Sequence, residues 1–279
     1  MGGVSESAAL REREKGLDGI LSRMGSVVVA FSGGVDSAYL AVRAFRVLGG
    51  RALAVTADSE SLAEAQRSLA LDLARRFGFP HRVIRTSEFD NPLYLRNGGD
   101  RCYHCKTELF RHLLPLARRE GYAHVAYGVV LDDLSDFRPG HRAAAEAGVR
   151  SPLVEARIGK ADVRALSRAM GLPTWDLPAS PCLSSRVPYG TPVAPEVLRR
   201  VERAEEAVRV LGFRELRVRH LGEVARVEIA PEEMRERLTP ALRAEVEEAV
   251  RAAGYASVLI DPEGYRRGRL NEALPPPRT

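Results

Sequence analysis

Short apolar runs alternate along the first two thirds of the chain with stretches whose apolar positions recur every three or four residues. The runs at 26–31, 52–57, 81–86, 123–128 and 151–154 predict strands. The stretches at 36–48, 60–77, 104–119 and 160–170 predict helices. A helix over 6–23, with Leu10, Leu17, Ile20 and Leu21 on one face, precedes them. Strand–helix alternation at this spacing predicts an α/β fold with a parallel, doubly wound sheet, spanning 1–171. A Pro-rich connection at 172–194 ends the pattern. Beyond it a helix at 195–211, strands at 214–220 and 224–229, a helix near 239–252 and a strand at 255–260 predict a smaller α+β unit over 195–270. The tail, 271–279, carries Pro275-Pro276-Pro277 and is expected to fray.

The first run, Val27-Val28-Val29-Ala30-Phe31, leads directly into Ser32, Gly33, Gly34, Val35, Asp36 and Ser37. Glycines admit an anion close to backbone N–H groups, and a helix opening at Asp36 adds its positive dipole end, so the hexad is a candidate phosphate cradle. No Gly-Lys-Ser/Thr follows, so it is not a Walker A loop. The plainer alternative is an ordinary glycine turn. In a doubly wound sheet, ligands bind beyond the carboxyl ends of the strands, where Asp58, Ser59 and Gly128 also fall.

Composition narrows the partners. A 45% hydrophobic content suits a normal core, and the longest apolar runs are too short for a bilayer span. The N-terminus lacks a signal-peptide apolar core, so a cytoplasmic location is expected. A net charge of +5 suits a nucleotide ligand, but no clustered basic face argues for nucleic acid. Arginine carries nearly all the positive charge; the lysines are Lys15, Lys106 and Lys160. Cys102 and Cys105 form a C-x-x-C, and Cys182 sits alone in a Pro- and Ser-rich loop. An odd number of cysteines argues against a disulfide framework. Three thiolates suit a [4Fe–4S] cluster with one iron open, or zinc with His104 added, or stand as independent thiols.

The hexad SGGVDS resembles the pyrophosphate loop of ATP pyrophosphatases. The wider set is similar to the LarE family of ATP-dependent sulfur transferases, which help make the nickel-pincer nucleotide cofactor of lactate racemase. It comprises SGGVDS at 32–37, RCYHCK at 101–106, YGVVLDDLSDFRPG at 127–140, the 151–190 stretch ending CLSSRVPYG, and LRVRHLGEVARVEI at 216–229. The resemblance implies ATP and Mg²⁺ as co-reactants and a pyridinium dicarboxylate mononucleotide as substrate. Each carboxylate is adenylylated with loss of pyrophosphate, then converted to a thiocarboxylate. It implies phosphate contacts from the 32–37 loop and Lys160, with Asp36 toward Mg²⁺ and Asp58, Ser59 and Gly128 near the nucleoside. It further implies that Cys102, Cys105 and Cys182 hold a [4Fe–4S] cluster that delivers sulfur, with sacrifice of Cys182 as the reserve mechanism. The source of replenishing sulfide is open, and a homo-oligomer is expected.

Arg217 and Arg219 stand two apart on a predicted strand, share one face, and need an anion or carboxylate between them. The resemblance assigns them to the substrate phosphate, with Glu228, Ser185 and Arg186 nearby; a salt-bridged strand is the alternative. Asp132, Asp133, Asp136 and Arg138 suit a metal or helix capping equally. Gly128-Val129-Val130 replaces the Gly-Thr-Asn of the family pattern, which removes two polar side chains. Tyr94, Tyr103 and Trp175 are candidates for the substrate ring. Rival readings are a cluster-dependent tRNA thiolase, an amide-forming adenylating enzyme and a non-catalytic nucleotide-binding module.

Overall fold

The apolar run Val27–Ala30, three of its four residues β-branched valines, forms strand β1, buried on both sides. Three further strands lie parallel to it: β2 (Ala52–Asp58), β3 (His81–Arg85) and β4 (His124–Tyr127). The computed structural model describes residues 2–135, 139–266 and 268–273, with no side chain described at 2–7, 135, 271 and 273. Asp136, Arg138 and the tail from 274 lie outside the described residues. The helices are α1 (Gly2–Met24), α2 (Val35–Leu48), α3 (Glu64–Phe77), α4 (Pro92–Leu95), α5 (Arg101–Arg119) and α6 (Pro139–Glu146). They continue with α7 (Pro152–Glu155), α8 (Lys160–Ala169), α9 (Pro195–Val210), α10 (Pro231–Arg237) and α11 (Pro240–Ala252).

The chain divides into two compact units. The first holds residues 1–88 and 102–179. Its sheet runs β3-β2-β1-β4. Alternation along β1 separates two cores. Val27 and Val29 face Leu17, Leu21, Tyr39, Leu73 and Leu166 of α1, α2, α3 and α8. Val28 and Ala30 face Leu109, Phe110, Leu113 and Leu116 of α5. Helices on both faces make this the expected doubly wound parallel sheet. Because β2 and β4 flank β1, the topology reverses between β1 and β4, and the crevice beyond their carboxyl ends is where such sheets take ligands.

The strand expected at 151–154 is not one. Arg150 makes a single parallel bridge to Ala126, and the chain then turns into α7. Pro152 cannot donate to a ladder, and its fixed φ suits the first helical position, which it takes here. Leu153 is instead buried in the α1–α2 core.

The second unit holds 89–101 and 180–279. It includes the predicted hairpin β5 (Leu216–Leu221) and β6 (Val224–Ile229), turned at Gly222 with φ 70°, and the parallel strand β7 (Ser257–Ile260). Phe213, Val218, Val227, Val246 and Val250 pack α9 and α11 against this sheet. A division drawn from sequence order alone at 172–194 does not place the 89–101 segment in this unit.

Candidate active site

Phe31 still donates to Val55 O (2.8 Å), and the chain leaves the sheet immediately afterwards. Gly33 takes φ +75°, and a Cβ there would lie 3.1 Å from Gln66 O. Gly34 is the N-cap of α2, and no side chain caps that end. Ser37 Oγ sits 3.1 Å from Ser32 Oγ, accepts from Ser32 N and donates to Gly34 O, so the hydroxyls brace the loop from within. A Cβ on Gly128 would fall 2.7 Å from Ser37 N. The β4 exit therefore presses on the first turn of α2, and only glycine permits that approach. The sheet thus gathers Ser32, Gly33, Gly34, Val35, Asp36, Ser37 and Gly128 at its reversal point. Backbone amides and a helix dipole collected in this way suit a polyphosphate.

Asp36 faces Lys160, whose Nζ donates to both carboxylate oxygens at 2.8 and 2.7 Å. Burial lifts the Asp36 carboxyl above its ordinary range; Lys160 opposes the shift and Asp133 adds to it. Lys160 N in turn donates to Asp132 Oδ2 (2.7 Å), and Asp162 closes the α8 N-terminus through Gly159 N. Asp133 accepts from Val130 N at 3.3 Å. Asp132 and Asp133 therefore serve the capping alternative: they order the turn that presents Lys160.

At the end of β2, Ser59 Oγ donates to the buried Glu88 (2.6 Å). Ser61 and Thr86 donate to the same carboxylate at 2.9 and 2.8 Å, and Thr86 N is held by Asp58 O. Glu88 thus orders the Asp58–Ser61 turn. Sequence reading missed it, because its three hydroxyl partners lie on either side of α3.

In the second unit, Cys182 precedes a 3-10 turn at Leu183–Arg186 and is half-buried. Arg186, only 2% exposed, pairs bidentately with Glu205 of α9 (2.7 and 3.0 Å). Its Nη1 donates to Pro181 O, Cys182 O and Ser185 Oγ. These contacts make Arg186 a holder of the cysteine loop. Burial pushes the Glu205 carboxyl up, but the charge and hydrogen bonds of Arg186 outweigh it and hold the carboxyl below its ordinary range. It also accepts from Val218 N, and so joins α9 to β5. Its place on the apolar stripe Leu198, Val201, Ala204, Val208 was the available signal that it is buried.

Arg219 donates to Glu228 Oε2 and to Ser185 O, at 2.9 and 2.8 Å. Glu228 is fully buried beside Arg219, Arg226 and Arg269, and orients their guanidinium groups. Arg217 stacks over Tyr265 at 4.8 Å. Burial, with repulsion from Arg186 behind it, lowers its guanidinium to about 10. The structure therefore brings Ser185, Arg186, Arg217, Arg219 and Glu228 into one buried network. Desolvated guanidinium groups crowded in this way favour an anion.

Cys102 and Cys105 are half-buried in the first turn of α5, spaced to share a face, and neither they nor Cys182 form a disulfide. Among the described residues no three His, Cys, Asp or Glu side chains are gathered for a metal ion. The donor set itself, three free thiols with two sharing one helix face, is chemically that of an iron–sulfur cluster. Of the aromatic candidates, Tyr94 is buried and pairs with Ser184 Oγ (2.7 Å). Tyr103 bonds Glu146 and lies under Arg142, and Trp175 lies under Arg168. Asn97 and Arg101, both buried, went unnoticed in sequence.

A doubly wound parallel sheet with an SGGVDS loop at its reversal point defines a PP-loop nucleotide domain. No protein-family model matches the chain. It is 43% identical over 265 residues to an uncharacterised protein of Synechocystis sp., covering 95% of this chain and 99% of that one. It is 34% identical over 268 residues to the pyridinium-3,5-bisthiocarboxylic acid mononucleotide synthase of Lactiplantibacillus plantarum, covering 96% of each. It is also 34% identical over 194 residues to the tRNA-specific 2-thiouridylase MnmA of Xanthobacter autotrophicus, but over only 55% of this chain and 49% of that protein. The chain belongs to the LarE family.

Proposed function

We propose that this protein is an ATP-dependent sulfur transferase that converts the carboxylates of a pyridinium-3,5-dicarboxylate mononucleotide to thiocarboxylates. The observation that carries this reading is near-full-length similarity to the Lactiplantibacillus synthase, in a chain whose phosphate loop stands at the sheet reversal. A substrate carboxylate oxygen attacks the α-phosphorus of ATP, the bond to pyrophosphate breaks, and an acyl-adenylate forms. Amides of the 32–37 loop stabilise charge growing on the pyrophosphate. Lys160 leaves Asp36 for a phosphate oxygen, which frees the carboxylate for the Mg²⁺ that arrives with ATP. A sulfur nucleophile then attacks the carbonyl carbon, AMP departs, and the thiocarboxylate remains. Arg217 and Arg219 take the substrate phosphate, with Ser185 beside them. Cys102, Cys105 and Cys182 would hold a [4Fe–4S] cluster, which would supply a site for sulfide when bound. The working protein is a homo-oligomer.

The test supplies the anaerobic protein with Mg-ATP, sulfide and the mononucleotide, and follows pyrophosphate together with product mass. Pyrophosphate release that requires the mononucleotide, with sulfur replacing oxygen in the product, is expected. Repeated turnover that vanishes with iron in Cys102→Ala supports the cluster. A single turnover that leaves dehydroalanine at position 182 assigns the sulfur to Cys182 itself. Pyrophosphate release that responds only to tRNA overturns the substrate assignment.

A further inference from the structure

Asn97 is a non-glycine residue at φ +55°, with its side chain fully buried. Asparagine is among the few residues that tolerate this conformation. Its Nδ2 lies 2.8 Å from Pro188 O, 2.8 Å from Thr191 O and 3.3 Å from Val187 O. Its backbone carbonyl accepts from Gly190 N at 3.0 Å. Its Oδ1 accepts from Arg101 Nη1, and that same nitrogen donates to Ser184 O (2.9 Å). Tyr94 holds the Ser184 hydroxyl. Every one of these acceptors and donors outside 94–101 belongs to the loop that follows Cys182.

Burying a carboxamide and a guanidinium is expensive, and apolar packing would stabilise the loop at least as well. What the polar pair adds is direction: the carboxamide fixes the Pro188–Thr191 turn, and the guanidinium fixes the backbone two residues after Cys182. We propose that Asn97 and Arg101 are positioning residues that set the Cys182 thiol for sulfur transfer. This rests on the reading of Cys182 as the point at which sulfur is delivered.

The experiment uses the full chain with Asn97→Gly, which keeps the left-handed backbone and deletes the carboxamide. A second variant, Arg101→Lys, keeps the charge and one donor. Native alkylation of the iron-free full chain by iodoacetamide is followed peptide by peptide, with Cys102 and Cys105 as internal references. Thiocarboxylate formation is resolved into kcat and KM for ATP. In both variants the Cys182 alkylation rate is expected to shift roughly tenfold against its references, and kcat to fall roughly tenfold to a hundredfold with KM for ATP held. Relative alkylation at Cys182 that stays at the wild-type value in either folded variant overturns the proposal. So does a lower unfolding midpoint with kcat unchanged. The alkylation arm needs no substrate. A wild-type chain that makes no thiocarboxylate therefore overturns the reading of Cys182, while alkylation still judges Asn97 and Arg101.

Discussion

Arg186 and Glu205 concentrate the most consequential residue-scale choice in the second unit. The pair is almost wholly buried, and its Coulomb attraction must offset the desolvation of two ions. Removing one partner leaves an uncompensated charge, so Glu205→Ala is expected to lower unfolding free energy by about 3–5 kcal/mol. Replacing both, Arg186→Met with Glu205→Leu, removes the charges together and should restore most of that stability. Yet it also deletes the donors to Pro181 O and Cys182 O. Because the buried Val218 amide still loses its acceptor, the double variant is expected to unfold between Glu205→Ala and wild type and still lose thiocarboxylate formation. Wild-type turnover in the double variant would show that the pair serves stability alone.

Between elements, Glu108 of α5 ties the helix to the end of β3. It accepts from Arg111, from His112 and from Ser87 N. Arg111 pulls its carboxyl down to about 2, against burial, with His112 and the Ser87 amide adding to the effect. A folded-state value below the unfolded one means that the unfolded chain takes up the proton first. The stabilisation is therefore complete above the ordinary value of 4.5 and is lost as pH falls toward 2. Glu108→Gln removes that dependence. Urea midpoints measured across this range should fall less steeply for the variant than for wild type, and parallel slopes would refute the assignment. The elements themselves were largely legible in the sequence where their cause is local. The SGGVDS turn follows a continuous β-branched strand, and the β5–β6 hairpin carries its glycine at the turn. The run at 151–154 misled because Pro152 there takes a helix N-terminus and Leu153 packs on α1 and α2. Asn97 and Arg101, and the partner of Tyr94, stayed hidden for a different reason. Tyr94 reaches Ser184 across 90 residues, and nothing near Asn97 in the chain signals that its carboxamide is buried.

At the scale of the whole molecule, the second unit is discontinuous: 89–101 belongs to it, although the first unit resumes at 102. The two parts of this unit have different sources of order. The β5–β6–β7 sheet with α9 and α11 buries an apolar core drawn entirely from residues 204–260. A fragment covering 180–279 keeps that core. The cysteine loop has no such core of its own. Gly190 N and Val193 N donate to Asn97 O and Leu95 O, and the carbonyls of Val187, Pro188 and Thr191 face the Asn97 amide. Without 89–101 these groups lose their partners and turn to water. Hydrogen exchange should therefore find the Gly190 and Val193 amides protected in the full chain and fast in the fragment, while Val227 in the sheet stays slow in both. Equal protection of Gly190 and Val193 in the fragment would mean that the loop holds itself. The 89–101 segment would then have no part in its order, and the unit would be continuous in energy even though it is discontinuous in sequence.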